Sequence, residues 1–309
     1  MLDGHYSLQE ARADVSGTTH LSLTHEGLET LPPYLLDFPN LVRIELSHNR
    51  ITRLSDVLLG LTRLEKLSLR GNRLVSLHDR LDALAALRKL NLSLNPDLDA
   101  EAALTQLARL PRLEVLSLGD SRLTHLPGAF TALTTLKVLH VHGNQLRGLP
   151  AGLEALYRLQ KLSLDANPWD DATGVLEGVS RLRKLAVLTF GSAGLVRMPA
   201  ALAGLRSLIH LYLDGNPGLE LDLLVESLAR LPQLRKLSLS RCGLTLLPER
   251  IGELKPLNHL NLTGNALRGL SALIRLPHLH ELWLSRELVD PGEVDFLRQA
   301  MPRLRIHAF

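Results

Sequence analysis

A nine-residue pattern recurs along most of this chain and limits what the chain can fold into. Its clearest copy, Leu64–Asn72, has leucines at positions one, four and six and an asparagine at position nine. Within it, Leu67 and Leu69 alternate with polar residues, with the period of two that is typical of a short strand with one buried face. So short a strand cannot bury its leucines alone, so each copy must pack against other copies.

The copies are regularly spaced. The first leucine of the pattern falls at Leu41, Leu64, Leu87, Leu113, Leu136, Leu159, Leu185, Leu208, Leu234, Leu257 and Leu279. Successive copies lie 22 to 26 residues apart, and 23 is the commonest interval. Position nine departs from asparagine at Glu26, Ser121, Ala193, Cys242 and Glu287. Periods of this length predict a solenoid, in which each repeat packs on its neighbours.

The pattern L-x-x-L-x-L-x-x-N resembles that of the leucine-rich-repeat family, over about residues 18 to 288. The resemblance implies an α/β solenoid (horseshoe) of about 12 repeats, with a parallel concave β-sheet and a convex side of mixed loops and short helices. In the family, the ninth-position asparagine hydrogen-bonds turn backbone in a ladder. Leu-Pro-like steps come after five copies, at Leu31, Leu126, Leu149, Met198 and Leu247. With the 23-residue period, they resemble intracellular Ras-group members and similar bacterial arrays. Ras-group members are typically protein-binding scaffolds.

We predict a single continuous domain. Residues 1–17 form an N-terminal cap with a short helix from Leu8 to Val15, residues 18–288 form the repeat array, and residues 289–309 form a C-terminal cap helix and strand. Asp290, Pro291 and Glu293 together are a typical helix start, with Asp290 and Glu293 as a capping pair.

Three repeats are 26 residues long. In each of them the nine-residue pattern ends in an Asn-Pro step, at Asn95, Asn167 and Asn216. Apolar residues at helical spacing come after each one, which predicts a longer helix on the convex side. Each also precedes a repeat with a small ninth residue: Ser121, Ala193 or Cys242. We expect the next ladder site to lie in a changed environment.

Charge, cysteine content and apolar patterning limit the classes of function and the cellular compartments that the chain is expected to have. The 35 basic and 32 acidic residues give a net charge of +3, and aromatic residues do not alternate with the basic ones, so nucleic-acid binding is not predicted. Cys242 is the one cysteine, so no internal disulfide forms and a reducing compartment is favoured. Because no run of about 18 apolar residues occurs, we expect no membrane span. The N-terminus lacks a signal peptide, which predicts a cytoplasmic protein or an effector secreted without one.

The residues expected to bind a partner lie at positions three, five and seven of the pattern, which face outward on the concave sheet. Arg43, Lys66 and Lys89 occupy position three of successive copies, and Arg70 adds a fourth cation. They form either a zone that steers an acidic partner or a solvated basic edge.

Two aromatic residues interrupt the small or polar residues of position five: Tyr212 and Trp283. Exposed aromatic residues are typical interface anchors, although Trp283 has the alternative of packing against the C-terminal cap. His210 and Asp214 share the strand face of Tyr212, and His259 is also a predicted contact residue.

His140 and His142 share another face, and Asp165 is expected beside His142. Two histidines and a carboxylate can bind a metal ion, but histidines are scattered along the chain, so we predict a polar contact surface and no metal. Cys242 falls at a ladder position, which indicates a buried structural thiol.

No catalytic constellation and no cofactor-binding motif is present. The predicted function is therefore a non-catalytic protein–protein interaction scaffold or adaptor, monomeric, that binds a protein partner, with an acidic surface, on the concave sheet. The alternatives are a translocated bacterial effector that binds a host protein and the targeting part of a ubiquitin-ligase-type effector.

Overall fold

A computed structural model describes residues 7–308. They divide into two compact units, the first covering residues 7–146 with Pro150–Arg158 and the second covering Arg147–Leu149 with residues 159–308. Each unit repeats one design, a short strand followed by a turn and a short helix. The single continuous domain, with its caps at 1–17 and 289–309, stays a prediction.

The first unit contains six parallel strands in chain order. They are β1 (His20–Ser22), β2 (Arg43–Glu45), β3 (Lys66–Ser68), β4 (Lys89–Asn91), β5 (Val115–Ser117) and β6 (Val138–His140). Its α-helices are α1 (Leu8–Ala13) and α2 (Ala100–Leu107). Helix α1 ends two residues before the predicted Val15, because the chain turns at Asp14, whose carboxylate accepts a 2.8 Å hydrogen bond from the Gly17 N–H.

The second unit contains seven parallel strands, again in chain order. They are β7 (Lys161–Ser163), β8 (Val187–Thr189), β9 (His210–Tyr212), β10 (Lys236–Ser238), β11 (His259–Asn261), β12 (Glu281–Leu284) and β13 (Arg305–Ala308). Its α-helices are α3 (Ala172–Val179), α4 (Leu221–Leu228) and α5 (Pro291–Ala300). The predicted C-terminal strand is β13. Asp290 caps α5, but Glu293 does not complete a capping pair, since its carboxylate accepts the Leu270 N–H at 2.8 Å.

Repeat length decides which kind of helix comes after each strand. Each 23-residue repeat from Leu41 onward has a short 3₁₀ helix, such as Asp56–Gly60, whereas the three 26-residue repeats have α2, α3 and α4. The longer helices confirm the expectation from the Asn-Pro repeats. None of the helices in residues 7–308 has the length and apolar character needed to cross a membrane.

The core of each unit is a stack of leucines. The central residue of each of the strands β1 to β12 is at most 2% exposed, and so is the sixth-position residue of each repeat. A fully buried leucine of this kind contributes about 1.5–3 kcal/mol. The predicted α/β repeat architecture is therefore confirmed, and it leaves positions three, five and seven as the outward-facing columns.

The asparagine ladder joins one repeat to the next. The side-chain amide of Asn72, for example, donates hydrogen bonds to the Leu69 and Leu46 carbonyls, both at 2.9 Å, and accepts the Ile51 N–H at 3.0 Å. These backbone groups belong to buried turns, where no strand partner is available. Asn49, Asn95, Asn144, Asn216 and Asn265 make equivalent bonds.

Candidate functional site: the exposed sheet face

The exposed sheet face consists of the side chains at positions three, five and seven of each repeat. Strand pairing brings these columns together, because each residue lies directly beside its counterpart in the next repeat. In the first unit, Arg43 pairs with Lys66 and Lys66 pairs with Lys89. Residues far apart in the sequence thereby form continuous surfaces.

The first such surface is the basic depression, a shallow concavity of about 430 Å³. Its charged lining consists of Arg43, Glu45, Lys66, Arg70 and Lys89. The uncharged lining consists of Ser47, Ser68, Asn91 and Ser117, with the apolar Leu67, Leu90 and Val115. Arg43 is held by Glu45, with Nη2 at 2.9 Å from Oε1. Among the described residues, Lys66, Arg70 and Lys89 have no carboxylate partner. The four predicted cations therefore line one cavity.

The second surface, in the other unit, is the aromatic cluster: His210, Tyr212, Lys236, His259, Trp283 and His307. Lys236 lies between the two predicted anchors, because its Nζ is 5.4 Å from the Tyr212 ring centre and 5.7 Å from that of Trp283. A cation over an aromatic face is attracted by the electron density of the ring. The lysine thus holds two aromatic side chains of β9 and β12 around one point on β10.

Trp283 is stacked on both sides. Its ring lies 6.0 Å from that of His259, with 19° between the planes, and 4.9 Å from that of His307, with 15°. His307 belongs to β13, so Trp283 does contact the C-terminal cap strand. The indole remains half-buried and keeps part of its surface open to solvent.

Glu281 fixes the last histidine of this stack. The His307 Nε2 is hydrogen-bonded to Glu281 Oε2, and that bond lowers the pKa of the carboxyl group. Arg305 Nη1 lies 3.6 Å from the other carboxylate oxygen. The stacked ring is therefore held from both its face and its edge.

Two histidines of the aromatic cluster have lowered pKa values. Partial burial lowers the pKa of His210, and the nearby Lys236 and His259 lower it further. Burial also lowers the pKa of His259, which Glu281 partly counteracts. These shifts favour the uncharged form of both rings, next to the ammonium group of Lys236.

His140 and His142 meet at a ring distance of 6.2 Å, with 77° between their planes. The Asp120 carboxylate lies beside His142, with Oδ2 3.6 Å from Nε2, and the position of Asp165 beside His142 stays a prediction. Across residues 7–308, no three histidine, cysteine or acidic side chains come together in a way that would hold a metal ion. These histidines form a polar patch on the face of the first unit.

Asp165 and Asp214 are engaged by the repeat that comes after each of them. Asp165 accepts hydrogen bonds from the Thr189 hydroxyl and from the Gly191 N–H, the latter at 2.7 Å. Asp214 accepts from the Ser238 hydroxyl at 2.5 Å and the Ser240 N–H at 2.8 Å. Both carboxylates therefore connect neighbouring strands, a task that the sequence pattern did not predict.

Comparison with known proteins agrees with this architecture. Family models described as leucine rich repeat match residues 16–74, 39–96, 105–168 and 233–254, together more than half of the chain. The chain belongs to the leucine-rich-repeat family. No curated protein sequence matches it.

Three solved leucine-rich-repeat structures show the same fold. A Leptospira interrogans leucine-rich-repeat protein has a TM-score of 0.57 and 22% identity, with 99% of this chain and 100% of that one covered. An internalin from Listeria monocytogenes has a TM-score of 0.65 and 22% identity, covering 89% and 77%. The functional domain of InlJ from the same organism, which includes a cysteine ladder, has a TM-score of 0.62 and 19% identity, with 96% of this chain and 60% of that one covered.

A single cysteine occupies the ladder of this leucine-rich-repeat chain. Cys242 is buried, as expected, and its thiol lies 3.3 Å from the Leu213 carbonyl and 3.5 Å from that of Ser240. Burial raises the pKa of the thiol, so it stays protonated and donates weakly to the carbonyls that an asparagine would bind.

Lys236 and His307 are the two members of the aromatic cluster that sequence reasoning missed. Lys236 occupies position three, the column of the predicted basic residues, and strand register places it between His210 and His259. The spacing of the repeats is sufficient to predict that register. His307 lies beyond the repeats, and no pattern marks it as the partner of Trp283.

Proposed function

We propose that this leucine-rich-repeat protein is a non-catalytic interaction scaffold that binds a protein partner on its exposed sheet face. The observation that carries the proposal is the aromatic cluster, in which Lys236 and two histidines hold Tyr212 and Trp283 in fixed positions at the surface. Preordered aromatic side chains lose little conformational entropy on binding, which is why such residues dominate interface energetics.

The arrangement favours recognition over catalysis. Hydrogen bonds on this face join neighbouring repeats, as where the Asp214 carboxylate accepts the Ser238 hydroxyl and the Ser240 N–H. The predicted contact residues include a basic group, an aromatic group and the polar patch of His140 and His142, and each of them lies on a strand or within two residues of its end. This rigidity suits a surface that receives a folded partner or an extended segment.

The finer features of the proposal depend on charge. The basic depression favours a partner with an acidic surface, because unpaired cations attract and orient opposite charge. We further propose a monomeric protein that works in the cytoplasm, where Cys242 stays reduced, with the two caps and the repeats forming one continuous domain.

The test is quantitative affinity purification with mass spectrometry, comparing wild-type protein with a Tyr212→Ala/Trp283→Ala variant. The matched control is Leu246→Ala/Ile274→Ala, which removes two large exposed side chains outside the three face positions. We expect partners recovered by wild type and control to be depleted at least tenfold with the aromatic variant. Equal recovery with all three proteins, at equal thermal stability, would reject the aromatic anchors.

A further inference from the structure

The basic depression in the first unit carries more positive charge than a structural role explains. Because Glu45 neutralises Arg43, the remaining cations Lys66, Arg70 and Lys89 leave a charge of +3 around about 430 Å³. That equals the net charge of the whole chain. Like charges on neighbouring strands repel one another, so this arrangement costs stability unless an anion occupies the depression.

The strand register brings these cations together. Lys66 lies directly beside Lys89, in adjacent parallel strands that are about 4.8 Å apart. Arg70 lies on the same face as Lys66, four residues further along, so the two mark the opposite ends of the depression. An anion between them would meet ammonium groups from one side and a guanidinium group from the other.

Uncharged donors line the floor between the cations. The Asn91 side-chain oxygen accepts the Ser93 N–H at 3.0 Å, and among the described residues the amide nitrogen has no partner. Ser117 adds a half-buried hydroxyl beside it. Ser47 and Ser68 are hydrogen-bonded to each other at 2.8 Å, and the Ser47 hydroxyl also donates to Glu45 Oε2 at 3.5 Å, so Asn91 and Ser117 are the main uncharged donors that remain for a ligand.

We infer that the basic depression binds a phosphorylated side chain on the protein partner. A phosphate group brings close to two negative charges and three acceptor oxygens to one point, which matches three cations and several neutral donors. A single carboxylate would neutralise only one of the cations. No aromatic residue lines the depression, so it offers no platform on which a nucleic-acid base would stack. This inference rests on the proposed function for the protein nature of the partner.

The experiment is an NMR titration of the ¹⁵N-labelled full chain with a glycine-serine heptapeptide that carries one central phosphoserine. Ionic strength is held constant, because salt screens exposed charges. We expect saturable shifts at amides of β2, β3 and β4, and at least tenfold weaker binding of the unphosphorylated peptide. A single-stranded oligothymidine is the nucleic-acid probe, and we expect it to bind this face more weakly than the phosphopeptide.

Matched variants locate the site. Lys66→Glu/Lys89→Glu should weaken phosphopeptide binding at least tenfold, whereas Lys184→Glu/Lys255→Glu, with the same change of charge at exposed positions in the other unit, should change it less than twofold. Absence of saturable shifts, equal loss in both variants, or tighter oligothymidine binding would overturn the inference. If one of these results is obtained and the Tyr212→Ala/Trp283→Ala variant still loses its partner, the phosphate site is excluded and the scaffold proposal remains supported.

Discussion

The ladder asparagines differ in how many backbone N–H groups each of them accepts. Asn95 and Asn216 are both fully buried, and both donate to two sixth-position carbonyls. Asn95 Oδ1 accepts the Leu74 N–H alone, whereas Asn216 Oδ1 accepts the N–H groups of Ala193 and Leu195, at 3.1 and 3.0 Å.

We predict that Asn216→Ala destabilises the protein more than Asn95→Ala does. The first substitution leaves one more buried N–H unpaired, at a cost of about 1–3 kcal/mol. Urea-induced unfolding followed by circular dichroism measures the difference between the two free energies. Equal destabilisation, or a larger effect at Asn95, would contradict the proposed role of the ladder.

His210 and His259 are expected to make the free energy of unfolding depend on pH. Because each has a lowered pKa in the folded protein, the unfolded chain binds more protons as the pH falls through the usual histidine range near 6.5. Their contribution is therefore fully present above that range and is lost at lower pH.

Stability should thus fall between pH 7.5 and pH 5.5, and the loss should be smaller in a His210→Gln/His259→Gln variant. We expect a difference of a few degrees in melting temperature, measured by differential scanning fluorimetry at both pH values. His125→Gln/His278→Gln, at two exposed histidines outside the aromatic cluster, is the control. A variant with the full wild-type pH dependence would show that these two groups do not titrate as described.

At the scale of the element, the 26-residue repeats form a distinct module. In each, the seventh-position side chain of Ser93, Asp165 or Asp214 accepts an N–H from position seven of the next repeat. The next repeat then has Ser121, Ala193 or Cys242 at the ladder site. The residue after each of these adopts a left-handed conformation: Arg122, Gly194 or Gly243.

This module explains why each 26-residue repeat precedes a repeat with a small residue at position nine. The extra left-handed residue turns the backbone so that two N–H groups point at the next asparagine, as at Asn144, Asn216 and Asn265. A small ladder residue is tolerated there because the next asparagine supplies the acceptor. The longer helix and the altered ladder site are therefore two parts of one change in repeat geometry.

Helix α2 provides a test of the longer repeats. The Asp99 carboxylate caps this helix by accepting the Ala102 N–H at 3.1 Å. Asp99→Ala should cost about 1 kcal/mol, because it leaves one N–H of the first turn without an acceptor. Asp97→Ala, at an exposed residue outside the helix, should change stability by less than about 0.5 kcal/mol. Chemical denaturation compares them, and equal values would exclude a capping role.

The fold was predictable from the sequence because burial dictates it. Leu67 and its equivalents must face inward in every repeat, so the pattern of leucines specifies the strands, their order and their register. The helices of the longer repeats were predictable for the same reason, from apolar residues at helical spacing. Packing leaves few alternatives for any of these side chains.

The candidate site was only partly predictable. Exposed columns could be assigned, but the directions of the side chains within them depend on contacts between repeats. The stacking of Trp283 on His307 and the hydrogen bonds of Asp214 involve partners 24 to 26 residues away. Periodicity places such partners side by side without showing which of them interact.

At the scale of the whole molecule, we propose that partners bind the exposed sheet face, whereas the turns and helices support the sheet. Both units offer such a face, with a basic depression in one and an aromatic cluster in the other. A scaffold of this design can change its partner by changing the face residues, because the core does not depend on them.

Site-specific photocrosslinking tests this claim most directly. The photoreactive residue p-benzoylphenylalanine is placed at Tyr212, where it is a conservative aromatic replacement, and separately at Leu246, which is 65% exposed and outside the face. Each protein is irradiated with the partners recovered by affinity purification. We predict covalent adducts from position 212 and none from position 246, and adducts from position 246 alone would contradict the claim.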